Sequence, residues 1–131
     1  MAPQSISTVA RQFGLRSSAL RYYERIGLLP RVRISGGKRH YDESIVNRIA
    51  IIQRARAAGF SLADIRELFS GYSDSVPVSR RWRELTKRKQ VELEAATQRI
   101  RDMQALLEKM ARCGCDALDA CGDRIRGKVK C

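Results

Sequence analysis

The stretch WRELTKRKQVELEAATQRIRDMQALLEKMAR, residues 82–112, decides the architecture of this 131-residue chain. It contains no glycine or proline and is rich in good helix formers, which predicts one helix about 45 Å long. Apolar residues recur along it in steps of three and four, forming a seam at Leu93, Ala96, Ile100, Met103, Leu107 and Met110. Because this spacing is typical of a coiled coil, we expect the seam to be buried against a second copy of the chain. A long helix lying on its own globular head is the alternative.

The residues before this helix predict a small head with two short helices and a hairpin. Ser7 is expected to cap a first helix that ends at Gly14, and a second helix follows from about Ser17. Two such helices joined by a tight turn have the dimensions of a helix-turn-helix. Residues 31–34 alternate polar with apolar, a Ser-Gly-Gly turn follows, and residues 38–41 return, which predicts a cationic β-hairpin, or wing.

Two further helices complete the head and set the expected boundaries. Asp42 is expected to cap the first of them and Ser61 the second, with Asp64 completing a capping box. We therefore predict a mainly α fold with four segments. These are a winged helix-turn-helix domain at residues 1–71, a linker at 72–81, a dimerisation helix at 82–112 and a short cysteine-bearing tail at 113–131.

The charge of the chain indicates a polyanionic partner. The formal net charge is +12 and the pI is about 10.3. Residues 1–70 carry twelve Lys and Arg against five Asp and Glu, and residues 71–131 carry fourteen against nine, so the excess is densest in the head. No apolar run is long enough to span a bilayer and the N-terminus has no signal-peptide core, so we expect a cytoplasmic protein without a membrane partner.

A helix-turn-helix beside a basic wing favours binding to double-stranded DNA. The second helix would enter the major groove, and the wing would contact the flanking backbone. The candidate DNA-binding residues are Ser17, Ser18, Arg21 and Tyr22 on that helix, with Arg31, Arg33, Lys38, Arg39 and Tyr41 on the wing. Each charge by itself could equally be a solvated surface residue.

All four cysteines lie in the last nineteen residues, which indicates a thiol site. Cys113 and Cys115 flank one glycine, and five residues separate Cys115 from Cys121. Thiolates favour soft ions of the mercury, arsenic, lead, copper or zinc class, or an iron–sulfur cluster. Three ligands suit a trigonal ion, and Cys131 as a fourth would suit tetrahedral zinc. Arg112 beside them would lower the thiol pKa values.

An enzyme is not expected. The single histidine, His40, lies on the wing, no paired carboxylates mark a pocket, and no glycine-rich phosphate loop is present.

Three runs of sequence resemble the MerR family of bacterial transcription regulators. They are RYYERIGLL at 21–29, RHY at 39–41 and ARAAGFSL at 55–62. The short wing, WREL at 82–85 and the cysteine spacing are most similar to the SoxR-like subgroup. The resemblance implies a homodimer with antiparallel rods on a pseudo-palindromic operator within a promoter spacer. It also implies activation of RNA polymerase there by bending and untwisting the DNA.

One position departs from that subgroup. Its members hold a 2Fe–2S cluster on four cysteines, and the first of these, three residues before Cys113, is Met110 here. A four-thiolate cluster would therefore need Cys131. Three hypotheses follow: a regulator sensing a soft metal ion or thiol-reactive signal, a redox-sensing regulator with a 2Fe–2S cluster, or a non-specific nucleic-acid-binding protein with a structural zinc.

Overall fold

The computed structural model describes residues 3–128 and is mainly helical, with one small sheet. Its elements, in chain order, are β1 (Gln4–Ser5), α1 (Ile6–Phe13), α2 (Ser17–Arg25), β2 (Arg33–Ser35), β3 (Lys38–Tyr41), α3 (Glu43–Ala57), α4 (Leu62–Ser70), α5 (Val78–Ala111) and α6 (Leu118–Ile125). They form two compact units, the first ending at Lys87 and the second beginning at Arg88. The winged helix-turn-helix and the long C-terminal helix expected from the sequence are confirmed.

The core of the first unit is built from one apolar face of each helix. The helical period places Ile45, Ile49 and Ile52 of α3 on one side, where each is at most 3% exposed. They pack with further buried side chains from the other helices and the wing, namely Val9, Ala10, Leu20, Leu28, Leu29, Val32, Tyr41, Ala55, Phe60, Ile65, Leu68 and Leu85. This core holds α2 and the wing on one scaffold.

Side-chain caps set the helix starts, and one of the three expected caps is wrong. Asp42 accepts the N–H of Ile45 at 3.0 Å, as expected. Ser61 and Asp64 form the expected capping box, with reciprocal bonds of 3.1 and 2.9 Å. The cap of α1, however, is Ser5, whose hydroxyl accepts the N–H of Thr8 at 3.3 Å. Ser7 lies inside the first turn because the helix already begins at Ile6.

The wing has a third strand that the sequence did not indicate. The strand order is β1-β3-β2, with both pairings antiparallel and β3 in the centre. The expected turn is confirmed at Gly36 and Gly37, whose φ angles are 59° and 75°. Positive φ at both central positions is what a tight hairpin turn requires, and glycine adopts it without steric cost. β1 is only two residues long, too short to show an alternating pattern.

The long helix α5 begins at Val78, four residues before the start expected from the seam. Its first turns belong to the head. The Arg81 side chain is buried, and its guanidinium donates to the carbonyls of Val76 (3.0 Å), Leu68 (3.1 Å) and Ser73 (3.4 Å). Trp82 packs edge-on against Phe60, with ring centroids 5.9 Å apart. A buried arginine that satisfies carbonyls at and after the end of α4 thus joins the start of α5 to the head.

In the second unit the apolar seam is open to solvent within the single chain. Ala96 is half-buried, and the other seam residues are exposed, at Leu93, Ile100, Met103, Leu107 and Met110. Leu106 widens this apolar strip. Such a continuous strip is typical of a surface that binds another chain. No helix within residues 3–128 is both long and apolar enough to cross a membrane.

Candidate functional site

The outward face of α2 carries the side chains expected to read DNA. Ser17 is half-buried, whereas Ser18, Arg21 and Tyr22 are exposed, Tyr22 at 42%. The Arg25 guanidinium lies 5.5 Å from the Tyr22 ring centroid, so the ring is held beside a cation. The face therefore combines hydroxyl, guanidinium and phenol groups, which suit phosphates and base edges.

An open cleft of about 420 Å³ lies between α2 and the wing. It brings together Arg21, Arg31 and Arg39, three of the candidates that the sequence suggested. Arg25 joins them and was missed, although its position four residues after Arg21 places it on the same helix face. The remaining lining residues are Glu24, Leu29, Pro30, Val32 and Ile34. Four guanidiniums around one cleft make a strongly positive surface.

The other wing candidates lie outside this cleft. Arg33 and Lys38 are exposed on β2 and β3. Arg33 lies instead beside a second shallow recess, with Pro3, Ser35 and His40. His40 is half-buried, and its Nε2 lies 3.3 Å from the Ser35 carbonyl oxygen, so the His40 side chain has a hydrogen-bond partner within the hairpin.

Tyr41 is a core residue, so its assignment as a DNA contact is wrong. Its side chain is 0% exposed, and its hydroxyl donates to Glu24 Oε2 at 2.9 Å. Burial, together with the neighbouring Glu24 carboxylate, raises the pKa of Tyr41, so the phenol stays protonated and remains a donor. The sequence placed Tyr41 on a wing strand, but only the packing of β3 against the helices reveals which way it faces.

Three cysteines of the second unit come together after the end of α5. The Sγ atoms of Cys113, Cys115 and Cys121 all lie within 4.8 Å of one another. Cys113 and Cys115 lie in the loop after Ala111, and Cys121 lies on α6. The sequence predicted a short cysteine-bearing tail here, without a helix. The helix was missed because Ala117 at its start provides no side-chain cap and because it contains Gly122.

The thiols are electrostatically unequal. The Cys115 thiol donates to the Cys113 sulfur, which lowers the pKa of Cys113 and raises that of Cys115. The cation that contributes is Arg124, three residues after Cys121 on α6, rather than the Arg112 suggested by adjacency in sequence. Of these two sulfurs, Cys113 is therefore the better prepared to act as a thiolate ligand or nucleophile.

The donor set fits a soft ion held by three thiolates. Met110 is exposed on α5, in the strip expected to be buried between two chains. The fourth cysteine, Cys131, lies outside the described residues. Within residues 3–128 the site therefore offers three thiolates, one fewer than a conventional 2Fe–2S cluster requires.

Most of the chain matches two models of one protein family. A family model described as "MerR HTH family regulatory protein" matches residues 4–72, and one described as "MerR, DNA binding" matches residues 46–113. The chain belongs to the MerR family. It is a MerR-family transcriptional regulator with a DNA-binding domain, and not an enzyme.

Individual relatives agree with this placement in the MerR family. The regulator CueR of Salmonella typhi is 33% identical over 108 residues, which cover 82% of this chain and 78% of CueR. A SoxR homolog of Chromobacterium violaceum is 29% identical over 118 residues, which cover 89% of this chain and 80% of that protein. Both are similar to this chain at nearly the same level, so the SoxR-like subgroup has only loose support.

Two solved structures have the same fold. PbrR691 from Ralstonia metallidurans CH34, in complex with lead(II), has a TM-score of 0.73 and is 26% identical, over 87% of this chain and 89% of that one. HiNmlR, a MerR-family regulator lacking the sensor domain and bound to promoter DNA, has a TM-score of 0.54 and is 25% identical. The match covers 83% of this chain and 88% of HiNmlR. The fold is thus found in MerR-family proteins bound to a metal and to DNA.

Proposed function

We propose that this protein is a homodimeric regulator that binds promoter spacer DNA and responds to a soft metal ion, or a thiol-reactive signal, through Cys113, Cys115 and Cys121. The main support for the sensing role is that the three sulfur atoms lie within 4.8 Å of one another, in the unit that does not contain the helix-turn-helix. We place the protein in the cytoplasm, where promoter DNA and RNA polymerase are found.

The DNA half of the proposal is supported by the cationic cleft between α2 and the wing. Its four guanidiniums suit successive phosphates, and Ser18 and Tyr22 lie on α2, the helix that contributes two of them. HiNmlR, which was solved on promoter DNA, has this fold. A gel-shift assay with a promoter spacer should give a specific complex. Equal binding to unrelated DNA would favour a non-specific nucleic-acid-binding protein instead.

The dimer is supported by the exposed seam of α5. Five large apolar side chains on one strip would be costly to leave in water, and an antiparallel pair of these helices buries them. A dimer also presents two DNA-binding units, as a pseudo-palindromic operator requires.

The soft-metal half of the proposal is supported by the ligand chemistry. Three thiolates in one chain suit three-coordinate ions such as lead(II), arsenic(III) or mercury(II), whereas zinc(II) favours four ligands. PbrR691, a structural relative, was solved with lead(II). A bound soft ion would displace the thiol protons and join the loop after α5 to α6. The lowered pKa of Cys113 and the raised pKa of Cys115 favour binding at Cys113 before Cys115.

Signal transfer would follow from ordering this segment. Cys113 and Cys115 follow α5 directly, whereas Cys121 lies on α6, so coordination ties two elements together. If the ordered tail contacts the partner's head, it changes the spacing of the two recognition helices. Bent and straight DNA then differ in binding free energy, which is the coupling that regulation needs.

The test replaces Cys113, Cys115 and Cys121 by serine, singly and together, and measures promoter output with lead(II), arsenite, mercury(II) or copper(I). Each single variant should lose induction while keeping gel-shift binding, and Cys131→Ser is the matched control. Elemental analysis of protein purified without oxygen should give one soft ion per chain. Unchanged induction in the triple variant would contradict the proposed sensor.

A second candidate is a 2Fe–2S redox sensor completed by Cys131. The cysteine spacing and the 29% identity to a SoxR homolog favour it. It predicts brown protein after anaerobic purification and a Cys131→Ser variant that is colourless. A colourless parent protein with bound lead or mercury would exclude it.

A further inference from the structure

One carboxylate lies among the cations of the DNA-facing cleft. Glu24 of α2 is the single acidic residue among those that line it, beside Arg21, Arg25, Arg31 and Arg39. A negative charge at this place repels phosphate and weakens the positive potential of its neighbours. On electrostatics alone, DNA binding would be stronger without it.

The contacts of Glu24 indicate what offsets this cost. Its Oε2 accepts the Tyr41 hydroxyl at 2.9 Å and lies 3.2 Å from Arg39 Nε. The Glu24 side chain is 16% exposed, that of Arg39 37%, and Tyr41 is fully buried. Both partners belong to β3, so a single carboxylate joins the recognition helix to the central strand of the wing.

The wing depends on this strand for its position. β2 is exposed at all three residues, and Tyr41 is the one fully buried residue of β3. β2 is paired to β3 through Arg33 opposite His40 and Ser35 opposite Lys38. Apart from Val32, which is buried just before β2, the link to the helices therefore runs through β3.

We propose that Glu24 is a positioning residue for DNA binding, which anchors β3 to α2 so that the wing cations and the recognition helix meet the duplex in one fixed geometry. It also orients the Arg39 guanidinium towards the cleft. The proposal relies on the DNA-binding role of the family and is independent of the signal that the cysteines sense.

The test compares Glu24→Gln and Tyr41→Phe in the full-length protein, by measuring operator affinity across a series of salt concentrations. Glu24→Gln removes a negative charge, so a purely electrostatic role predicts tighter binding and a steeper salt dependence. A positioning role predicts the opposite sign. We expect about tenfold weaker binding and a slope of log K against log salt that becomes shallower by about 0.9 for each phosphate that the wing no longer neutralises.

Tyr41→Phe is the second variant for the same affinity measurements, and it does not change the charge of the protein. It leaves every charge in place and removes one of the two anchors, so it should weaken binding by a smaller factor and also flatten the slope. A variant that merely lowered the folded fraction would weaken binding equally at every salt concentration. Glu43→Gln makes the same one-charge change at an exposed position outside the cleft and is the matched control.

Hydrogen exchange on the free protein supplies a readout that does not depend on DNA. The amides of β2 and β3 should exchange faster in Glu24→Gln and Tyr41→Phe, while those of α3 keep their protection. Unchanged wing protection, or binding as tight as the parent's with an unchanged or steeper slope, would overturn the proposal. If Glu24→Gln does not fold, Tyr41→Phe and its exchange pattern decide the question.

Discussion

At the scale of single residues, two of the three clustered thiols, Cys113 and Cys115, differ in their acid–base properties. Donation from the Cys115 thiol lowers the pKa of Cys113 and raises that of Cys115, and Arg124 acts to lower both. Since the thiolate is the reactive form, the sulfurs should differ in nucleophilicity although they lie within 4.8 Å of one another.

Alkylation should therefore distinguish Cys113 from Cys115. As the pH rises, Cys113 loses its proton first, so its reaction with iodoacetamide should speed up at a lower pH than that of Cys115. Peptide mapping by mass spectrometry over a range of about pH 6 to 9 measures this. Arg124→Gln should shift both profiles to higher pH, while Arg112→Gln should leave them in place. Equal profiles for the two sulfurs would contradict the hydrogen bond between them.

Arg81 is a buried side chain whose loss should be expensive. Arg81→Met leaves the carbonyls of Leu68, Val76 and Ser73 without their donor, which should destabilise the protein by about 3 kcal/mol. Urea unfolding at one fixed protein concentration measures it. Arg83→Met, a change on the same helix outside this set of bonds, should cost less than about 0.5 kcal/mol. Similar losses for both variants would refute the role of Arg81.

At the scale of elements, the start of α1 distinguishes two serines only two positions apart. Ser5→Ala removes the cap and should cost about 1 kcal/mol, whereas Ser7→Ala, inside the first turn, should change the stability by a few tenths at most. Thermal or urea unfolding of the two variants compares them. A larger loss for Ser7→Ala would mean that the helix starts later than the structure places it.

At the scale of the whole molecule, the seam of α5 is the surface on which assembly depends. Ile100→Lys places a charge on the strip that we propose is buried between two chains, and each protomer then loses about 2 kcal/mol of apolar burial. The dimer dissociation constant should rise by roughly 100-fold or more, with loss of operator binding. Gln98→Lys, off the seam on the same helix, should remain dimeric. Sedimentation at micromolar concentration measures both, and a monomeric parent protein would refute the dimer.

The local features of this fold could be predicted from sequence because their signals are local. The isoleucines of α3 follow the helical period, Asp42 and Ser61 cap helices by bonds to residues three positions away, and two glycines permit the turn of the wing. The clustering of Cys113, Cys115 and Cys121 also required only sequence proximity and a short connecting segment.

Tertiary structure decided what depends on distant residues. Tyr41 ends a strand whose other three residues are polar, so no alternation reveals which face is buried, yet the core buries it against Glu24, seventeen positions earlier. The strand β1 exists because β3 offers it a partner, and the cleft unites cations of α2 with those of the wing. Sequence alone determined the helices of the head, the long helix, the two longer strands of the wing and the chemistry that they carry, because periodicity, caps and turns act over a few residues. Only the packed chain decided which side chains face each other, because that depends on closing long loops around one shared core.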